Sequence, residues 1–148
     1  MGLINSLRIS ASSLAAQRLR MDLIANNVTN MNTTNGPDEA PYQRQTVVFR
    51  EQTGQASFGD LLGRARGQST PGGVEVSAIH VDNAAPREVY DPSHPDANAD
   101  GYVLMPNIDV VTEMTDLAGA GRAYEATVTV LNATKALALN ALNIGRGG

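Results

Sequence analysis

The chain has 148 residues and a net charge of −4, and its 42% apolar content leans on alanine, with no tryptophan and no cysteine. That length supports one domain with helical extensions, and the missing thiols exclude disulfide scaffolds, thiolate zinc sites and cysteine nucleophiles. An acidic chain with a pI near 5.0 also argues against nucleic acid as a partner, because such binding rests on a basic patch that neutralises phosphates.

A first helix is predicted from residues 2–5 to about residue 30. Ile4, Leu7, Ala11, Leu14, Arg18, Met21, Ala25 and Val28 alternate steps of three and four, which keeps one narrow face turned to a partner helix, as in a coiled coil. Asn26, Asn27, Asn30, Asn32 and Asn35 then precede Gly36-Pro37. Asparagine competes for backbone hydrogen bonds and Gly-Pro cannot continue a helix, so the stop is well marked.

The middle of the chain, 36–106, has a different pattern and is expected to be a small, irregular β region. Residues 43–51 alternate around Gln45, Val47 and Phe49, and residues 74–81 are β-branched, both strand signals. Gly54, Gly59, Gly63, Gly67, Gly72 and Gly73 punctuate the stretch between them, which also carries Arg64 and Arg66. Residues 87–90 form a third extended piece, and 102–104, after Asp100-Gly101, are placed to close a hairpin, with the strand pairing of the region left open.

Within a C-terminal assembly segment, 107–148, a last helix is expected to begin after Pro106, with Asn107 or Asp109 as N-cap, and to run to about Ile144, with Gly145 as its stop. Its stripe is Val110, Met114, Leu117, Gly121, Tyr124, Val128, Leu131, Lys135, Ala138 and Leu142. Gly119, Gly121 and the run Thr127-Val128-Thr129-Val130 are poor helix formers, so contacts with partners are expected to hold it. The fold class is therefore α+β: long assembly helices at 1–35 and 107–148, forming a coiled-coil-like pair around the β region. Arg18 and Lys135 are the charged residues on the two seams, and each needs a carboxylate or carbonyl partner. Asp22 is a local candidate for Arg18.

Chemistry-bearing motifs are few. Asp96-Ala97-Asn98-Ala99-Asp100-Gly101 matches the first half of an EF-hand loop, but position twelve is Asn107 rather than the bidentate glutamate, and Pro92, Pro95 and Pro106 stand where flanking helices would be. His80 and His94 lack partners at zinc spacing. No nucleophile elbow, P-loop or dinucleotide fingerprint occurs. The expectation is no catalytic residue, no metal and no cofactor. No stretch approaches the about 18 apolar residues of a membrane span, and nothing resembles a cleavable signal, so a soluble, uncleaved chain is expected.

Ala25-Asn26-Asn27-Val28-Thr29-Asn30-Met31-Asn32-Thr33, after Ala16-Gln17-Arg18-Leu19-Arg20-Met21-Asp22, resembles the N-terminal signature of the bacterial flagellar axial proteins, the rod and hook subunits. Arg122-Ala123-Tyr124-Glu125-Ala126 and Val130-Leu131-Asn132 look like that family's C-terminal helix. Tyr90-Asp91-Pro92-Ser93-His94-Pro95-Asp96-Ala97, Gly101-Tyr102-Val103 and Pro106-Asn107-Ile108-Asp109 with Glu113-Met114 are similar to a proximal rod member. Glu125-Ala126-Thr127 departs from the family's usual Gln-Ala-Asn, and the Gly-Arg-Gly-Gly tail is unusual.

The resemblance implies a structural subunit of the periplasm-spanning basal-body rod that polymerises helically, transmits torque and lines the export channel. It implies export through the flagellar type III apparatus, and as partners further copies of itself, other rod subunits and the protein joining rod to membrane ring, with no nucleic acid and no membrane insertion. The assembly residues expected from the two stripes together with the asparagine box are Ile4, Leu7, Leu14, Arg18, Met21, Asn26, Asn27, Asn30, Asn32, Met114, Leu117, Tyr124, Val128, Leu131, Lys135 and Leu142. A different type III-exported helical protein and a calcium-binding interaction module remain the alternatives.

Overall fold

The computed structural model describes residues 2–35, 40–52, 62 and 72–146. The expected helix stop at Gly36-Pro37, the glycines 54–67, the basic pair Arg64 and Arg66 and the final Gly-Gly lie outside them. The described elements are helix α1 (Leu3–Thr29), strands β1 (Gln45–Glu51), β2 (Val74–Val81), β3 (Arg87–Tyr90) and β4 (Tyr102–Met105), and helix α2 (Val110–Arg146). Two long terminal helices thus enclose a small antiparallel region, an α+β architecture.

α1 ends one residue before Asn30 for a visible reason. The Asn26 carbonyl accepts both the Asn30 backbone N–H at 3.0 Å and the Asn30 side-chain amide at 2.9 Å. Asn30 then accepts from the Thr33 N–H and hydroxyl, so the carbonyls that another turn would use are occupied. α2 is capped by Asp109 rather than Asn107: its carboxylate accepts the Val111 N–H at 3.1 Å and the Thr112 hydroxyl at 2.7 Å. These bonds hold the Asp109 carboxyl below the usual carboxylate range, the Thr112 hydroxyl contributing most. Gly145 does not stop α2, which runs through it to Arg146. The β-branched run is helical throughout, with the hydroxyls of Thr127 and Thr129 donating to the carbonyls of Ala123 and Glu125.

β1 pairs with β2. Bonds from Gln52 N–H to the Gly73 carbonyl and from Asp82 N–H to the Arg44 carbonyl flank the ladder, an order that only antiparallel strands produce. β3 pairs antiparallel with β4 in the register Arg87↔Met105, Glu88↔Leu104, Val89↔Val103 and Tyr90↔Tyr102. Gly101 sits at φ +79°, and a Cβ there would lie 2.9 Å from the Tyr90 ring, so only glycine fits the return into β4.

The chain divides into two compact units. The first comprises 1–18, 49–77 and 121–148. In it the Ser12 hydroxyl accepts the Val74 N–H at 3.1 Å and donates to the Ile9 carbonyl, fastening the first half of α1 to the start of β2. Gly73, at φ +103°, lets the backbone pass beside that hydroxyl. The second unit comprises 19–48 and 78–120 and holds most of the described core: Leu23, Ile24, Val103, Pro106, Ile108 and Ala120. In the hairpin Val103 faces this core, 1% exposed, whereas Tyr90, Tyr102 and Leu104 face solvent, as the two-residue period requires.

Candidate assembly site

Inside the second unit an apolar core closes around polar side chains. Asn27, 0% exposed, lies on the face of α1 that also carries Leu23 and Ile24. A buried amide must find partners for all its polar atoms, and Asn27 finds them in Gln45. Its oxygen accepts the Gln45 N–H at 2.9 Å and its nitrogen donates to the Gln45 carbonyl at 2.9 Å. One side chain thereby bonds both backbone groups of the first residue of β1, as a neighbouring strand would. The same oxygen accepts the Tyr42 hydroxyl at 3.1 Å, and the same nitrogen donates to Glu113 Oε2 at 3.0 Å.

Glu113, in the first turn of α2, is 1% exposed. A carboxylate there is favoured by the helix dipole but must be compensated. Arg44 supplies the charge, its Nε donating to Oε1 at 2.6 Å, while Asn27 supplies the second bond. Around this pair lie wider contacts, Arg44 to Asp116 and Arg20 to Asp116, both 3.6 Å and half-exposed. Burial, and then the negative charge of Glu113, push the Tyr42 phenol above its ordinary value. Three separate pieces of chain, the end of α1, residues 42–45 and the start of α2, are joined by one polar clasp.

The assembly residues expected from the sequence fall into distinct environments. Asn27 is buried; Asn30, Leu7, Leu14 and Met21 are half-buried, as are Leu117, Tyr124, Val128 and Leu131. Ile4, Arg18, Asn26, Asn32, Met114, Lys135 and Leu142 are exposed. The buried positions of α1, namely Ser10, Ala16, Leu23, Ile24 and Asn27, lie beside the expected stripe rather than on it, so part of the stripe is left to solvent. Arg18 and Lys135 make no ion pair among the described residues, Asp22 included. α2 adds Val130, Leu137, Leu139 and Ile144 to its exposed apolar side chains, Ile144 at 81%. A helix apolar on more than one face is ordinarily covered by partners or by lipid, and no described helix is long and apolar enough to cross a membrane.

The half EF-hand word has a different use. Asn98 Oδ1 accepts the backbone N–H groups of Asp100 and Tyr102, and Asp96 Oδ2 accepts the Thr34 hydroxyl at 2.6 Å. Asn98 thus folds the turn, and Asp96 ties it to Thr34. His94 Nδ1 accepts the Asp96 N–H at 3.1 Å, and His80 is exposed on β2. Sequence reasoning missed Tyr42, Arg44 and Gln45. Their one signal was that a buried asparagine in an apolar stretch of helix needs a polar partner from elsewhere.

Residues 7–37 match the family described as "Flagella basal body rod protein", and residues 99–144 match "Flagellar basal body rod FlgEFG protein C-terminal". The flagellar basal-body rod protein FlgC of Bacillus subtilis is 45% identical, covering 96% of this chain and 97% of its own. The chain belongs to the FlgC family of flagellar basal-body rod proteins. FlgC proteins of Borreliella burgdorferi and Salmonella typhimurium are 39% and 40% identical, each over 99% of this chain and all of their own length. Asn27 and Glu113, joined across the clasp, lie one in each of the two family matches.

Proposed function

We propose that this chain is a structural, non-catalytic subunit of the flagellar basal-body rod. The observation that carries the reading is end-to-end similarity, over 96% of the chain or more, to proteins named as basal-body rod proteins. The exposed apolar side chains of α2 support it, since a subunit in a helical polymer covers such faces with its neighbours. In this reading the terminal assembly segments, 1–35 and 107–148, which carry α1 and α2, pack against those of adjacent rod subunits and wall the export channel. The clasp keeps the end of α1 and the start of α2 in fixed register so that torque passes through the subunit. The flagellar export apparatus delivers the chain, and the rod's junction with the membrane ring is among its neighbours.

The test uses the absence of native cysteine. Single cysteines at the exposed positions Met114 and Leu142 are introduced into a functional copy in a strain lacking its own. Motility is scored, and isolated basal bodies are oxidised. Restored swimming with disulfide-linked species containing this chain is the expected result. A deletion strain that still builds rods and swims would overturn the reading.

A further inference from the structure

The four tyrosines of the chain fall into two kinds. Tyr42 is held in the clasp by its bond to Asn27, and Tyr124 is half-buried on α2. Tyr90 and Tyr102 are 65% and 42% exposed, and neither phenol makes a hydrogen bond among the described residues. They stand directly opposite each other on the outer face of the β3–β4 hairpin, with ring centroids 5.2 Å apart and planes at 65°. Cross-strand partners on one face keep their Cβ atoms about 4.5–5.5 Å apart, so the backbone holds the two rings in contact.

Gly101 makes room for the pair. A Cβ at 101 would lie 2.9 Å from Tyr90 Cε2, so the missing side chain lets the Tyr90 ring lie across the turn, beside the residue that precedes Tyr102. Cε2 is ortho to the phenol oxygen. When a tyrosine loses an electron and a proton, its ortho carbons carry much of the unpaired spin, and two such carbons on neighbouring rings can join. The composition favours that outcome. The chain has no cysteine and no tryptophan, the other side chains on which a one-electron oxidation readily settles. Among the described residues this is the one tyrosine pair whose rings meet.

We infer that Tyr90 and Tyr102 are an oxidative cross-linking site, at which a one-electron oxidant, such as a haem peroxidase using hydrogen peroxide, forms a dityrosine bond across the hairpin. Each phenol gives up one electron and one proton to become a phenoxyl radical. The two radicals form one carbon–carbon bond between ortho carbons, and each ring regains its aromaticity by moving the ortho hydrogen to its phenol oxygen. The chain loses two hydrogen atoms in all, and one hydrogen peroxide takes up the two electrons and two protons to become two waters. The product ties β3 to β4 covalently in a chain that has no thiol for a disulfide. It closes a loop over the turn that carries Asp91, Asp96 and Asp100, and a cross-link of that kind restricts the unfolded chain. The inference stands apart from the rod-subunit reading and needs only the isolated chain.

The experiment treats the purified chain and the variants Tyr90→Phe, Tyr102→Phe and Tyr124→Phe with a haem peroxidase and hydrogen peroxide, and follows dityrosine fluorescence. The two hairpin variants remove only an exposed phenol oxygen, and circular dichroism checks that each variant folds. Wild type and Tyr124→Phe should give the fluorescence in a species of monomer size. Mass spectrometry of its digest should find the segments containing residues 90 and 102 joined with the loss of two hydrogen atoms. Tyr90→Phe and Tyr102→Phe should lose the signal by about tenfold or more, as should wild type unfolded in urea, because oriented groups react far faster than groups that meet by chance. No dityrosine in wild type, fluorescence that survives in either hairpin variant, a product confined to linked pairs of chains, or an equal yield in urea would each overturn the inference. The motility test of the rod-subunit reading is untouched by any of these results.

Discussion

Replacing Asn27 tests the clasp directly. In Asn27→Ala the Gln45 N–H and carbonyl lose their partners in a part-buried position, and Glu113 and Tyr42 each lose one bond. Each orphaned buried group costs about 1–3 kcal/mol. Tyr42 is partly exposed and Glu113 keeps Arg44, so the two Gln45 groups dominate and the total is about 3–4 kcal/mol. For a chain of this size that lowers the melting temperature by roughly 10 °C. Asn27→Asp has the same shape and still accepts from Gln45 and Tyr42, but its second oxygen faces the Gln45 carbonyl and the Glu113 carboxylate. Two carboxylates at that separation cannot both stay ionised, so the folded variant binds a proton more tightly than the unfolded chain. The stability that proton supplies is fully present below the ordinary carboxylate value and is lost as pH rises through the raised folded one. Melts followed by circular dichroism from pH 5 to 8 should therefore show Asn27→Asp falling relative to wild type as pH increases. The control is Asn26→Ala, at an exposed position whose contribution to the helix end is made through its backbone carbonyl; it should change stability by less than about 0.5 kcal/mol. If Asn27→Ala melts within about 3 °C of wild type, or Asn27→Asp tracks wild type at every pH, the clasp does not hold these segments as described.

Tyr42→Phe should cost about 0.5–1.5 kcal/mol at neutral pH, because Asn27 Oδ1 keeps the Gln45 donor. Since the folded Tyr42 phenol is raised by burial and by Glu113, its contribution is intact below pH 10 and lost above it; melts from pH 8 to 11 should fall less steeply in the variant. Gly121→Ala has nothing within 4 Å of its new Cβ and should raise helix stability in the isolated chain by about 0.5–1 kcal/mol. If this stripe position packs closely in the rod, the same variant should swim poorly. Gly73→Ala, at φ +103° and 2.7 Å from the Ser12 hydroxyl, should instead destabilise the isolated chain by about 1–3 kcal/mol. Thermal melts paired with swimming assays separate these outcomes.

Much of the fold was legible because its signals are local. The extended pieces that form β3 and β4 and the turn at Asp100-Gly101 were marked locally, although their pairing was not, and the helices followed from sustained three-four spacing. The buried face of α1 was not, since Met21 and Val28 on one side and Leu23 and Ile24 on the other give the helix two apolar flanks, and periodicity cannot choose between them. The end of α2 was missed because a glycine stops a helix only when it turns left-handed, and Gly145 does not. The role of Asn27 was hidden for a deeper reason. The sequence marks it as part of a family word, but its chemistry depends on Gln45 and Glu113, 18 and 86 residues away.

A side chain standing in for a peptide unit also frees the chain that follows it. The entry to β1 is set by α1 through Gln45, and the far end of the ladder is closed by the bond from Gln52 to Gly73. Both of these contacts are made by residues outside 53–71. Lengthening a flexible connection costs entropy only with the logarithm of its length, about 0.6 kcal/mol for each doubling, which is less than the cost of losing one buried bond of the clasp. Because Asn27, Gln45, Arg44 and Glu113 make the clasp without any bond from 53–71, a change of length in that connection would be felt by the clasp only through this weak logarithmic term.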